Sequence, residues 1–229
     1  MQSLFDACTP RSDVMADALQ EHIFAARLET VAAGTAPDVY GKPDVFFDNT
    51  YPTAGLVSLQ KEAIGRLTGQ ARDTAPILRL ETSFGGGKTH SLIALYHAAR
   101  GHQPPDAFLP FAVPKPGSVK VATFVGEAYD PVNGQRHDRG ITTRTLWGEI
   151  AHQLGGPDGY ALARESDERR AAPGYAFLDE ILGERPALIM IDELPRHLRA
   201  CTGISVGASN QADQTVAFVM TLLGWASSR

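Results

Sequence analysis

The sequence predicts an α/β protein, a parallel sheet with helices on both faces, and three observations lead there. Apolar strand-like runs recur at Ile77–Leu80, Val119–Val125 and Ala187–Ile191. Segments with apolar residues at helical spacing lie between them. The separations leave room for βα units, which set successive strands parallel in one sheet.

Each element has its own signal. Residues 13–33 carry Val14, Leu19, Ile23, Phe24, Leu28 and Val31 close to a helical stripe, with Ser12 or Asp13 as cap and Gly34 as stop. Residues 36–53 are rich in Pro, Asp, Asn and Gly and read as irregular, yet Tyr40, Phe46, Phe47 and Tyr51 imply packing against something. Thr53 caps a second helix with Leu56, Leu59, Ala63, Ile64 and Leu67 on one face and Gly69 at its end. Ile77–Leu80 reads as a buried strand, broken by glycines and followed by a helix with Leu92, Ile93 and Tyr96. Five prolines in residues 101–118 make a surface crossover to the strand Val119–Val125. A polar loop with Asp130, Asn133, Gly134 and Gly140 leads to a helix through Leu146, Trp147, Ile150 and Leu154, ended by Gly155-Gly156. Residues 157–173 read as polar and mostly exposed. Ala176–Leu182 reads as a helix, Ala187–Ile191 as a strand and Gln214–Ala226 as a last helix.

Composition narrows the function classes. A length of 229 residues fits one or two domains, divided here into a helix and aromatic-containing loop over 1–52 and a core over 53–229. The net charge is -5, with no block of like charges and no basic stripe, which argues against direct nucleic-acid contact. Cys8 and Cys201 are isolated, so neither a metal clip nor a disulfide framework is expected. The start MQSLFDACTP lacks the pattern of a signal peptide. No apolar stretch approaches the roughly 18–20 residues that span a bilayer. A cytoplasmic protein without membrane contact is expected.

The strongest chemical signal is Thr82-Ser83-Phe84-Gly85-Gly86-Gly87-Lys88-Thr89, between a strand and a helix. A triphosphate needs backbone N–H groups converging on it, and small residues let the main chain come close. The helix that follows adds its positive N-terminal end. Lys88 can reach the β- and γ-phosphates, and the Thr89 hydroxyl can ligate Mg²⁺. The motif GxxxxGK[ST] asks for Gly where this chain has Thr82, a position that needs a backbone turn more than a chemical group. The alternative is a glycine-rich turn with Lys88 simply exposed.

The second signal is LIMIDE, Leu188–Glu193. An apolar strand ending in two acids, downstream of such a loop, puts Asp192 at the carboxyl edge of the sheet, where it can hold Mg²⁺. Glu193 then faces the γ-phosphate and orients the attacking water. A plain solvated turn is the competing reading. His90 can sense the phosphates or serve the helix structurally. Arg196 and Arg199 can act on a neighbouring subunit or form a solvated face. Phe46, Phe47 and Tyr51 can flank a base or bury a loop edge, and Trp147 reads as core.

Four segments in order, FFDNTYPTAGL, ETSFGGGKTHSLIALYH, TTRTLWGEIAHQLGG and LIMIDELPRHL, resemble large prokaryotic AAA-like ATPases of domain of unknown function 499, often associated with phage defence. The resemblance runs from about Asp13 to the end of the chain. It implies a P-loop NTPase three-layer sandwich with a parallel sheet, preceded by a helical N-terminal segment. It also implies ATP held by Ser83, Phe84, Gly85, Gly86, Gly87, Lys88, Thr89 and His90, Mg²⁺ held by Thr89 and Asp192, and Glu193 as the catalytic residue. In AAA-type sheets, by the same resemblance, the strand after the Asp-Glu strand inserts between it and the P-loop strand and brings the sensor residue. No such strand follows Gln214–Ala226, so the sheet is expected to be incomplete and the chain to be the N-terminal part of a larger protein or a truncated open reading frame. The expected activity is Mg-dependent ATP hydrolysis within a self-association or larger assembly; the alternative is a nucleotide-binding module without turnover.

Overall fold

Alternating side chains give each strand of the central sheet two apolar faces, which is what a sheet covered on both sides requires. The computed structural model describes residue 15 and residues 25–71, 73–81 and 86–229. Strand β1 (Lys120–Val125) pairs in parallel with β4 (Ala187–Asp192), in a register that sets Lys120 opposite Ala187 and Val125 opposite Asp192. Two short antiparallel ribbons complete the strands among the described residues: β2 (Gln135–Arg136) with β3 (Thr142–Thr143), and β5 (Ser205–Val206) with β6 (Ser209–Asn210).

Helices cover both faces of the β1–β4 pair. On one side lie α1 (Leu28–Ala32), α2 (Asp38–Gly41), α3 (Pro43–Asp48), α4 (Ala54–Thr68) and α5 (Lys88–Ala99). Their core takes in Met190 and meets Val121, Val125 and Leu188 of the sheet. On the other side lie α6 (Leu146–Glu168), α7 (Tyr175–Leu182) and α9 (Gln211–Ser227), packed on Ala122, Phe124, Ile189 and Ile191. Helix α8 (Leu194–Cys201) follows β4 directly. Trp147, Phe46, Phe124 and Phe218 are fully buried, and each such side chain contributes on the order of 2–3 kcal/mol. Trp147 is core, as its spacing predicts.

Local chemistry sets the helix ends. The Thr53 hydroxyl accepts from the Leu56 N–H at 3.3 Å, and Gly69 closes α4 with φ 74°. Thr145 accepts from Gly148 N–H at 3.1 Å at the start of α6, and Asn210 caps α9 through Asp213 N–H at 3.0 Å.

Three expectations change. The run Ile77–Leu80 is not a strand: Leu78 and Leu80 lean on the core while Ile77 and Arg79 face solvent. It keeps the two-residue alternation, but among the described residues it is hydrogen-bonded into no sheet. The outer edge of β1 is closed by a side chain instead. The Gln153 amide accepts from Thr123 N–H at 2.7 Å and donates to Thr123 C=O at 2.8 Å, standing in for a neighbouring strand. Residues 36–53, expected to be irregular, hold α2 and α3, because Pro37 and Pro43 start short helices whose Tyr40, Phe46 and Phe47 are buried.

Helix α6 does not end at Gly155-Gly156. Gly156 breaks the helical geometry with φ 61° and ψ -146°, and Pro157 begins a second helical stretch at once. Nine of the seventeen residues over 157–173 are exposed, as expected, while Tyr160, Ala163 and Asp167 are buried and anchor the second stretch. Most of the helix predicted over 13–33 lies outside the described residues; the part within them is α1, where Leu28 and Val31 are buried. The described part of 1–52 shares one core with α4 and α5.

Candidate functional site

The register of the sheet decides which acid faces which helix. Ala122, Phe124, Ile189 and Ile191 point to the α6 side, so Val125 and Asp192 point to the α5 side, at the carboxyl end of both strands. Asp192 thereby meets the first turn of α5. Its Oδ2 accepts a hydrogen bond from Thr89 Oγ1 at 2.8 Å, joining residues 103 positions apart. Its Oδ1 accepts the N–H of Glu193 at 3.0 Å. Asp192 is buried, and each of its two oxygens has a partner.

The turn into α5 is glycine-dependent. Gly87 sits at the helix N-cap with φ 76° and ψ 21°, a left-handed conformation that disfavours any side chain. Gly86 and Gly87 are exposed, while Lys88, Thr89 and His90 are half-buried on the first turn. Thr82, Ser83, Phe84 and Gly85 lie outside the described residues.

Glu193 occupies the junction between β4 and α8. Its backbone is left-handed, with φ 51° and ψ 32°, which is uncommon for a residue other than glycine, asparagine or aspartate. Its side chain is 44% exposed, with Oε2 4.0 Å from Arg196 Nε. Arg196 also pairs with Glu127, just past the end of β1. Arg199 is exposed on the last turn of α8.

His90 is engaged by the N-terminal segment. Thr50 Oγ1 gives its proton to Phe46 C=O at 2.6 Å, so the 2.8 Å contact between Thr50 Oγ1 and His90 Nε2 has His90 as donor. The ring packs 4.6 Å from that of Phe46, and burial lowers its pKa, which favours the neutral imidazole. Phe46 and Phe47 are core residues, whereas Tyr51 is 81% exposed.

Sequence reasoning missed the layer beneath the acids. His197 is fully buried on α8, with Nε2 3.3 Å from Cys201 Sγ and its ring edge-on to Phe124 at 4.9 Å. Burial pushes its pKa down to about 4. Its spacing of four residues from Cys201 on one helix was the available signal. Glycine 126 was missed as well; a Cβ there would stand 2.4 Å from the Glu193 carbonyl oxygen.

The sequence matches the DUF499 N-terminal domain over residues 5–106 and 118–226. The chain belongs to the DUF499 family. No curated protein and no solved structure matches it. The two matched blocks of the family domain contain both the α5 turn and the β4–α8 junction, so Thr89, Asp192 and Glu193 all fall inside it. The gap at 107–117 falls in the proline-rich crossover before β1. Among the described residues no helix is long and apolar enough to cross a membrane.

Proposed function

We propose that this DUF499 chain is a P-loop ATPase module of AAA-like type that binds MgATP and hydrolyses it. The observation that carries the reading is the 2.8 Å hydrogen bond between Thr89 and Asp192. It brings together a hydroxyl from a glycine-led helix start and a carboxylate from the end of a parallel strand, the two oxygen ligands that a nucleotide-bound Mg²⁺ needs from a protein. Among the described residues no group of three or more His, Cys, Asp or Glu gathers to hold a metal alone. A hard cation here would draw its remaining ligands from water and phosphate, which suits Mg²⁺. Held by Thr89 and Asp192, such a cation would supply positive charge to offset the negative charge that develops on the phosphate in the reaction.

The chain's own residues divide the remaining work. Backbone N–H groups at Gly86, Gly87 and the first turn of α5 face an anion favourably, and Lys88 adds a full positive charge. Glu193, held at the strand end by its left-handed backbone, orients the attacking water and accepts its proton. Strain stored at such a position is a known mark of functional sites. By resemblance, the module works in the cytoplasm within a phage-defence assembly, with self-association or a partner completing it.

A second reading, nucleotide binding without turnover, is favoured by one observation. Residues 73–81, which lead into the loop, belong to no hydrogen-bonded sheet among the described residues. Titration of MgATP against the parent, Lys88→Ala and Glu193→Gln, with phosphate release measured in parallel, separates the readings. Binding lost in Lys88→Ala, with binding kept and release abolished in Glu193→Gln, supports the ATPase. Binding without release in the parent supports the second reading, and no binding at all sinks both.

A further inference from the structure

An exposed tyrosine ring stands on a clamped backbone beside the start of α5. Tyr51 is 81% exposed, although the residues on either side of it are fixed. Thr50 is tied to Phe46 C=O and to His90, the third residue of α5. Thr50 N–H also donates to Phe47 C=O at 3.2 Å. On the other side Pro52 restricts Tyr51 to extended backbone, and Thr53 both donates its N–H to Tyr51 C=O at 2.9 Å and caps α4. The ring is therefore presented to solvent from a rigid mount that touches the first turn of α5 through Thr50 and His90.

We infer that Tyr51 is the stacking platform for the nucleobase of a nucleoside triphosphate whose phosphates lie at Lys88 and Thr89. This rests on the nucleotide-binding reading above and adds a position for the base. A large aromatic that has already lost its backbone freedom stacks at low entropic cost, since only two side-chain torsions remain to be fixed. Phe46 and Phe47 cannot share the task because both are buried in the core. A tyrosine face accepts any base, because every base offers a π-face, so stacking supplies affinity without choosing adenine over guanine.

The test measures binding of MgATP, MgGTP and Mg-tripolyphosphate to the full chain and to its Tyr51→Ala, Tyr51→Trp and Lys88→Ala variants. Tyr51→Ala is expected to weaken ATP and GTP alike, by about 5- to 100-fold, and to leave tripolyphosphate unchanged. Tyr51→Trp is expected to restore both nucleotides, which a purely structural role would not produce. Equal nucleotide affinity in the parent and Tyr51→Ala, or an equal loss for all three ligands, overturns the platform while leaving the phosphate site standing. A parent that binds none of the three, unchanged by Lys88→Ala, removes the nucleotide reading and the platform with it.

Discussion

Gly126 lies against the carbonyl of Glu193: a Cβ at Gly126 would stand 2.4 Å from that oxygen and 2.9 Å from the Cβ of His197. Gly126 N–H also donates to Asp192 C=O at 2.8 Å, continuing the ladder one step past β1. The end of β1 thus fixes the backbone that aims Glu193. On the proposed ATPase reading, Gly126→Ala is expected to push the β4–α8 junction away, cutting ATP turnover at least tenfold while nucleotide affinity changes less than threefold, as a shift of Glu193 alone would require. Steady-state turnover and equilibrium binding on the same preparation check it. Unchanged turnover would mean that the junction tolerates the shift.

Thr89 and Asp192 make the second prediction. Thr89→Val keeps the shape and removes the hydroxyl, so Asp192 Oδ2 loses its donor and, on the proposed reading, a bound Mg²⁺ would lose a ligand. The expected result is a loss of the Mg²⁺ enhancement of ATP affinity, with affinity in the presence of a chelator unaltered. Thr89→Ser should retain the enhancement. Destabilisation by about 1–3 kcal/mol should accompany Thr89→Val, because a buried carboxylate oxygen is left without its donor. Titrations with and without Mg²⁺, paired with denaturant melts, give both numbers.

Much of this was legible in the sequence, and the rest was not for identifiable reasons. The strands at Lys120–Val125 and Ala187–Asp192 were legible because β-branched content and turn residues at both ends agree. The helix at Ala54–Thr68 was legible from its Thr53 cap, its apolar spacing and Gly69. Ile77–Leu80 was misread because an apolar run states only that a segment can be a strand; pairing is a tertiary fact. Gly156 was read as the end of the helix, and the structure does break there, yet Pro157, which can open a helix as well as end one, begins a second helical stretch. Lys88, Thr89, Asp192 and Glu193 could be named from motifs. That Gly126 props Glu193 depends on the register of β1 against β4, and that Thr89 touches Asp192 and Thr50 holds His90 depends on how α5 packs on β4 and on the N-terminal segment, which no local pattern encodes.

His197 gives a pH prediction with a definite sign. Its folded pKa is about 4 against an ordinary 6.5, so between those values the unfolded chain binds a proton that the folded chain does not. Stability on this account is complete above pH 6.5 and lost as pH falls toward 4, amounting to about 2 kcal/mol at pH 5. Its neighbours Cys201 and Tyr129 are held neutral by burial over the same range, so they do not offset it. Denaturant melts at pH 7.5 and pH 5 should show a smaller loss in His197→Leu than in the parent. Equal losses would place the acid sensitivity elsewhere.

Asp167, in the stretch expected to be exposed, carries the last prediction. It is fully buried, and its oxygens accept from Thr145 Oγ1 at 2.6 Å, from Arg144 N–H at 3.0 Å and from Tyr160 O–H at 3.1 Å. These bonds tie the second stretch of α6 back to the start of the same helix and to the end of β3. Burial raises its pKa, and the hydrogen bonds from Thr145, Arg144 and Tyr160 oppose that rise. Asp167→Ala would strand those donors and open a void beside Gly148, whose Cα carries no side chain to fill it. A loss of about 2–4 kcal/mol in unfolding free energy is expected, with α6 opening first. Asp167→Asn keeps the volume but turns one acceptor into a donor facing other donors, so it should recover only part of the loss. Hydrogen exchange localised to 157–168, faster in Asp167→Ala than in the parent while β1 and β4 keep their protection, would identify the carboxylate as the clasp of this helix. Uniform loss across the chain would instead make it a support of the whole core.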